Sequence, residues 1–593
     1  MIELLLPERL RIGWTASADA AGPKLQERFA DARGLLRSAA LVSVPIGLLA
    51  LIPAIFSLEV FDRVIYRHGI STLIALLAGV AVALGLEWWL RRRRAGSLRE
   101  AGAAIDWALS SDLLERMLGQ PLRKLEERPA AAWMALFRDV GTVRVLLTGP
   151  VVQTLFDLPV ALFALVIIGV VATPVLPLVL GGLAAFCVLA WWWADEVKTG
   201  KVVELQRARN LDMLTTEICR ARESVKSLGQ HEPVLAQWRA RYAQWLEESF
   251  RKSTQVEEAR EFSHTLLLAL TVGITAFGAL AVVNQWMTVG GLIASNILAV
   301  RAISPIASLT SSWRQLAHSV EAARRLRAVF AEPVERSVSE LSVPRPRGSI
   351  RLEKLGFAFG GPQAEPVFRD VDLTLEPGRL YAVVGRNGAG KSTLLKLLSG
   401  LYRPDSGRVL IDEYDLHQFS RAELSSWVGS LSQHVYFLDG TVAEQMRRVA
   451  PDATDDQIVR ACRLSGAHEF ISKMPAGYGT ELVEGARSLS AGERRKIALA
   501  QVLLRNPAVL AFDEPSNDLD HDSEMQLIAA LKLIAKVRTV IVVTHSAQMV
   551  ANADVALAVP GNGELVQMTP QEALRTFFAT VPAAARKTEA MAA

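Results

Sequence analysis

A lysine and a hydroxyl follow a glycine-rich run in Gly385-Arg386-Asn387-Gly388-Ala389-Gly390-Lys391-Ser392, and these residue types are suited to hold phosphate. The glycines let backbone N–H groups close around phosphate oxygens, and Thr393-Leu394-Leu395 opens a helix whose N-terminus adds its dipole. Lys391 is placed for the β- and γ-phosphates, and the Ser392 hydroxyl can ligate Mg²⁺. The apolar stretch Leu380-Tyr381-Ala382-Val383-Val384 reads as a buried strand, which completes the strand–loop–helix context that a G-x-x-x-x-G-K-S match requires. Far downstream, Val509-Leu510-Ala511-Phe512 reads as a second buried strand that delivers Asp513 and Glu514 at its end. Asp513 is placed to hold Mg²⁺, directly or through water, and Glu514 to orient an attacking water. The chemistry these residues point to is hydrolysis of a nucleotide phosphate.

The elements around this machinery fall into two unlike halves. The chain has 593 residues, 51% of them hydrophobic and 21% charged, and the apolar runs crowd its first half. A net charge of +4 is small for the length and excludes a nucleic-acid footprint. Three cysteines, Cys187, Cys219 and Cys462, have no paired spacing, which excludes a disulfide framework or a zinc site. Apolar runs at 39–58, 72–90, 148–171, 174–193, 265–284 and 288–309 are each long enough to cross a bilayer core of about 30 Å. Arg91 to Arg94 follow the second run and mark its cytoplasmic end, which puts the N-terminus inside. Trp88, Trp89, Trp191, Trp192, Trp193 and Trp286 sit at run ends, as interfacial aromatics do. The inner connections 91–147 and 194–264 are helix-forming and reach roughly 40–50 Å into the cytoplasm at the helical rise.

The expected organisation is a cytoplasmic segment 1–36, a six-helix transmembrane domain 37–330, a linker 331–348, an α/β nucleotide-binding domain 349–575 and a disordered tail 576–593. Asp157 and Arg301 are ionisable groups at membrane depth. Such groups line a transport pathway or pair structurally, and the sequence leaves both readings open.

The order of phosphate loop, Gln433, Leu489-Ser490-Ala491-Gly492-Glu493, Asp513-Glu514, Ser516 to Asp520 and Thr544-His545 resembles the nucleotide-binding domain of ABC transporters over about 349–575. The resemblance implies ATP and Mg²⁺ as ligands. It implies that Phe359 stacks on adenine, that residues Gly385 through Thr393 with Asp520 belong to the ATP site, and that His545 contacts the γ-phosphate. It also implies that Gln433 couples Mg²⁺ and the γ-phosphate to the membrane domain, and that Ser490 and Gly492 contact ATP held by a second subunit. Ala491 and Glu493 stand where the family's commonest form has Gly and Gln. If position 491 requires a positive φ, alanine there costs of order 1 kcal/mol and slows turnover. Phe359 replaces the usual Tyr but keeps the π-face, and Asp518 replaces a small residue.

The membrane half is similar to bacterial type I secretion ATPases of the haemolysin-exporter kind. The matching elements are Glu59-Val60-Phe61-Asp62-Arg63-Val64, Asp139 with Arg144, Leu147-Thr148-Gly149, Asp157-Leu158-Pro159, Val289 to Ser295 and Arg301 to Pro305. Many such exporters carry a peptidase-like domain before the first span, and residues 1–36 are too few for one, so export is expected without leader cleavage by this chain.

The fold expected from these resemblances is an α-helical six-span membrane domain with long cytoplasmic helices, fused to an α/β P-loop ABC nucleotide-binding domain. The implied assembly is a homodimer in a bacterial inner membrane, with the ATPase domain cytoplasmic. In type I secretion it works with a periplasmic adaptor, an outer-membrane channel and a polypeptide substrate, with membrane lipids around it and no nucleic acid. A lipid, drug or peptide exporter working alone, and a non-hydrolysing regulatory ABC protein, are the alternatives.

Overall fold

The computed structural model describes residues 23–336, 339, 343–360 and 364–578; for several stretches inside helices, residues 190–205 among them, only the backbone is described. Residues 1–22 of the expected cytoplasmic segment 1–36, and residues 579–593 of the expected tail 576–593, lie outside the described residues. The chain divides into two compact units, one comprising Met1–Leu118 with Arg128–Pro333 and the other Gly119–Glu127 with Val334–Ala593.

The described residues of the first unit form helices joined by short turns. Among the described residues five helices are long and apolar enough to cross a membrane: Ala32–Arg67, Ile70–Leu118, Ala130–Val171, Glu257–Val283 and Val289–Ser308. A shorter apolar helix, Thr173–Leu189, opens the long helix Leu176–Arg220. The breaks follow residue chemistry. Gly149 is extended (φ −90°, ψ −164°) and Pro150 begins the next helix at a position where its missing N–H costs nothing. A turn at Thr173–Val175, with Pro174 inside, joins Pro150–Val171 to Leu176–Arg220. Arg92 and Arg93 lie over the Trp88 and Trp89 rings at 5.7 and 5.2 Å, an apolar body beside a wet cation as expected of a membrane border.

Two elements singled out in the sequence meet here. Val60–Val64 forms a π-helical turn, which re-aims Asp62. Its carboxylate accepts from the Gly290 backbone N–H (2.9 Å) and the Thr288 hydroxyl (2.7 Å), while the Thr288 oxygen accepts from Gly291 N–H. The first turn of helix Val289–Phe330 is thereby capped from another helix. Glycine is required at position 290, because a Cβ there would come within 2.6 Å of both the Asp62 carboxylate and the Leu58 carbonyl. Asp139 and Arg325 form a two-pronged pair at 2.6 and 2.7 Å, and Arg144 pairs with Asp106 at 3.0 Å.

The second unit carries a sheet of six strands in the order Val566–Met568, Val555–Val559, Leu380–Gly385, Thr539–Val543, Val509–Asp513, Val428–Leu431. All neighbours are parallel except the first pair. The four central strands read as continuous apolar runs because helices cover both faces of a parallel sheet. A separate antiparallel sheet is built on Ile350–Ala358, Pro366–Leu375 and Ser406–Ile411. The short helix Leu122–Glu127 belongs to this unit: Leu122 packs on its core, Arg123 pairs with Asp405 at 3.3 Å, and Lys396 donates to Glu126 at 2.8 Å.

The cap on Val289–Phe330 predicts that Asp62→Ala destabilises the first unit by about 1–2 kcal/mol, the worth of a lost helix cap. Thr288→Ala should cost a similar amount, and the double variant less than the sum, since the two residues share one network. Thermal unfolding in detergent of the two single variants and the double variant checks this.

Candidate functional site

Four neighbouring parallel strands end on the same edge of the main sheet, and each delivers one part of the site. Leu380–Gly385 leads into the glycine-rich loop, Thr539–Val543 into His545, Val509–Asp513 into Glu514, and Val428–Leu431 into Gln433. Ligands of open α/β sheets bind outside such strand ends.

The loop has the backbone that phosphate binding needs. Gly388 and Gly390 have φ of 82° and 102°, where a side chain is strained, and a Cβ on Gly390 would come within 2.5 Å of Val367. Lys391 is buried at the start of its helix, and its ammonium donates to the Gly385 (2.9 Å) and Arg386 (3.1 Å) carbonyls. Burial pulls its pKa down, opposed by the nearby Glu514 and Asp513 carboxylates. Asp513 is buried and hydrogen-bonded to Ser392; burial raises its pKa, and the Ser392 bond and the Lys391 charge work against that rise. Arg386, Asn387 and Ser392 are exposed, with Ala389 and Thr393 half-buried behind them.

Glu514 is where the expected catalytic residues converge. Its carboxylate accepts from Asn517 Nδ2 (3.0 Å) and Gln433 Nε2 (3.4 Å), and His545 Nε2 approaches to 3.7 Å. Glu514 itself has φ +50°, a left-handed conformation uncommon for a side chain of its size. Such outliers recur at functional sites where the surroundings hold them.

Other expected residues stand apart from this cluster. Phe359 is half exposed, edge-on to Phe357 (5.1 Å) and Tyr402 (6.2 Å), with a face free to stack. Asp520 caps helix His521–Ala535 by accepting from Ser523 N–H at 2.8 Å, and hydrogen bonds from Ser523 lower its pKa. Ser490 caps Ala491–Leu504, and Gly492 lies so close to Asp518 that a Cβ would sit 3.0 Å from its carbonyl oxygen. Asp157 pairs with Arg94 at 3.2 Å, whereas Arg301 is exposed and has no hydrogen-bond or ion-pair partner among the described residues.

One expectation is overturned. Ala491 does not occupy a positive-φ position: it is the first residue of helix Ala491–Leu504, where alanine is favourable. The strain expected there does not exist. Glu493 completes a capping box, its carboxylate accepting from the Ser490 N–H and hydroxyl at 2.8 Å each.

Sequence reasoning passed over Arg495 and the aromatic neighbours Phe357 and Tyr402. Arg495 is buried on a helix face shared with Leu499, so a cation in an apolar register was the available signal.

A P-loop ATPase unit joined in one chain to a bundle of membrane-length helices defines a membrane transport ATPase. Residues 35–305 match the ABC transporter transmembrane region, and residues 368–517 match the ABC transporter ATPase family. Together these matches take up more than half of the chain, which belongs to the ABC transporters as a membrane domain fused to an ABC ATPase that couples ATP hydrolysis to transport. It is 28% identical over 530 residues to the toxin RTX-I translocation ATP-binding protein of Actinobacillus pleuropneumoniae, covering 89% of this chain and 74% of that one. It is 29% identical, with the same coverage, to the leukotoxin translocation ATP-binding proteins LktB of Mannheimia haemolytica and Bibersteinia trehalosi. A bacterial Atm1-family ABC exporter solved with ATP bound shares the fold, with a TM-score of 0.79 at 20% identity over 92% of this chain and 96% of that one.

The capping box predicts that Glu493→Gln unfolds like the wild type, since either side chain closes the box, whereas Glu493→Ala loses about 0.5–2 kcal/mol. The raised pKa of Asp513 has a further consequence. The native state holds this proton more tightly than the unfolded chain does, so stability falls as pH rises above the unfolded value and the cost is complete above the folded one. At neutral pH, Asp513→Asn should therefore raise the melting temperature of the nucleotide-free protein while abolishing hydrolysis; calorimetry beside an ATPase assay checks both.

Proposed function

We propose that the chain is the inner-membrane ATPase and permease of a type I protein secretion system, an exporter that moves a polypeptide at the expense of ATP. The observation that carries the hydrolytic part is the meeting of Gln433, Asn517 and His545 on the Glu514 carboxylate. A regulatory protein that does not hydrolyse has no need of such a cluster. The polypeptide cargo rests on the relatives, whose names are those of toxin translocation ATP-binding proteins.

In this reading adenine stacks on Phe359 and the triphosphate lies in the loop Gly385–Ser392, with Thr393 and Asp520 in the same site. Lys391 already ties the loop together through two of its carbonyls, and its charge faces the β- and γ-phosphates. The donor set suits Mg²⁺: the Ser392 hydroxyl, the Asp513 carboxylate hydrogen-bonded to it, and the Gln433 amide are hard oxygen ligands. The buried Asp513 would gain from a divalent charge, and Ser392, Asp513 and Gln433 would hold the ion, which neutralises charge on the phosphates. Glu514 orients water and His545 lies beside it for the γ-phosphate. Hydrogen bonds from Asn517 and Gln433 fix the carboxylate before reaction, which is positioning rather than new chemistry.

Ser490 and Gly492 sit at an exposed helix start and serve ATP held by a second copy, so the working unit is a homodimer. Each protomer has six spans, the fourth beginning with the apolar helix Thr173–Leu189, and the N-terminus and ATPase unit are cytoplasmic. The organisation is a transmembrane domain at 37–330, a linker at 331–348 and an ATPase domain at 349–575. A periplasmic adaptor and an outer-membrane channel complete the route. Arg301, exposed on an apolar span and without a partner among the described residues, lines the pathway, whereas Asp157 is held by Arg94.

ATP turnover in lipid nanodiscs, wild type beside Glu514→Gln, with and without the C-terminal segment of a secreted protein encoded nearby, tests the reading. Turnover that falls at least 100-fold in the variant, the order of effect expected of a group aligning the reacting water, and that responds to the segment is the expected result. Stimulation by lipids or hydrophobic drugs instead of the segment would establish the exporter that works alone. Full export by Arg301→Ala would remove that residue from the pathway.

A further inference from the structure

Arg495 is a buried cation that no step described so far uses. It lies on helix Ala491–Leu504, is 7% exposed, and reaches two loops distant in sequence. One guanidinium nitrogen donates to the backbone carbonyl of Glu514 and the other to the backbone carbonyl of Gln433, the latter at 3.0 Å. Asp518 stands 4.0 Å away, with its side chain half exposed.

These partners are the backbones of the two residues whose side chains meet at the reacting centre. Glu514 is left-handed at φ +50° and Asp518 at φ +63°, and such backbone is unfavourable for residues with a Cβ unless the surroundings fix it. Glu514 N–H donates to the Val543 carbonyl at 2.9 Å, so its backbone is held by the neighbouring strand on one side and by Arg495 on the other. Gln433 is held by Arg495 through its backbone while its side chain donates to the Glu514 carboxylate at 3.4 Å. The planar guanidinium fork spans both carbonyls at once, which a single ammonium donor does with less geometric definition.

We propose that Arg495 is a positioning residue for ATP hydrolysis, clamping the Glu514 and Gln433 backbones to one helix so that the Glu514 carboxylate points at the attacking water. The same helix has Ser490 as its cap and Gly492 in its first turn, so the clamp joins the segment that serves the second copy's ATP to the catalytic carboxylate of its own subunit. This inference rests on Glu514 acting on water, as in the function proposed above. Its effect therefore runs through Glu514 and leaves nucleotide affinity alone.

The test uses the full-length dimer in nanodiscs, with Arg495→Met, Arg495→Gln, Glu514→Gln and the double variant Arg495→Met/Glu514→Gln. The expected result is a kcat at least tenfold lower in Arg495→Met with KM for ATP within twofold of wild type. Arg495→Gln, which keeps two N–H donors at shorter reach, should recover at least a third of the wild-type kcat. In single-turnover measurements the double variant should be no slower than Glu514→Gln alone, because the clamp has nothing left to position. A wild-type kcat in Arg495→Met, a loss that appears in KM instead, or an equal further loss on top of Glu514→Gln would overturn the proposal. If Arg495→Met does not fold, Arg495→Gln against Arg495→Lys carries the same comparison: a lysine equal to or better than glutamine contradicts the two-carbonyl clamp. Wild-type turnover in Glu514→Gln would instead bring down the hydrolytic reading beneath it, a separate result.

Discussion

A glutamate held in left-handed backbone at the end of a buried strand is the constraint on which the ATPase unit turns. Val509–Asp513 is extended and fully buried, and the chain must reverse its local geometry within one residue to bring the next carboxylate out at the sheet edge. That geometry costs about 1–2 kcal/mol for a residue with a Cβ, and it is overcome by ties from three directions. Val543 takes the Glu514 N–H, Arg495 holds its carbonyl, and Asn517 holds both its carbonyl and its side chain. The remaining strands can be read as the scaffold that puts Lys391, His545 and Gln433 around this point.

A second constraint governs the helical unit. Carboxylates in a helix bundle of this apolarity need partners, and for three of them the partners come from elements distant in sequence. Asp62 caps the helix starting at Val289, Asp157 meets Arg94, and Asp139 grips Arg325 with both oxygens. Each contact specifies which helix lies beside which, a register that interchangeable leucine and valine side chains define poorly. The π-helical turn at Val60–Val64 fits this logic: local helical geometry is given up so that one side chain can point where a cap is needed.

The ATPase unit also recruits residues from inside the first half of the chain. Within Leu122–Glu127, Arg123 lies 5.3 Å from the Phe357 ring, and Glu126 accepts from the Tyr402 hydroxyl and from Lys396. Burial first, and the Glu126 carboxylate second, push the Tyr402 phenol upward, which keeps it a donor. Phe357 and Tyr402 are stacked at 5.5 Å, and Phe359 stands edge-on to both. The aromatic cluster of Phe357, Phe359 and Tyr402 is thus continuous with side chains that touch the Leu122–Glu127 helix.

Much of this was legible in residue order. The phosphate loop, the acidic pair and the apolar runs are local patterns, because a loop that wraps phosphate, a strand that ends in carboxylates and a helix that meets lipid each need their residues consecutively. The Ala491 expectation failed because a short motif does not state its own dihedral angles; the capping box formed by Ser490 and Glu493 makes the position helical. The glycines at 290 and 390 were visible as glycines, but that Asp62 and Val367 crowd them depends on segments far away in the chain. The apolar register of Arg495 did not say which backbones it would hold, and nothing near Glu126 in the chain pointed to Tyr402 and Lys396 as its partners. Sequence alone determined which chemistry the chain carries, since that is written in contiguous residues. Tertiary structure decided which buried cation, cap and aromatic neighbour hold that chemistry in place, since those contacts join positions as far apart as Gln433 and Arg495, or Glu126 and Tyr402, which only folding brings together.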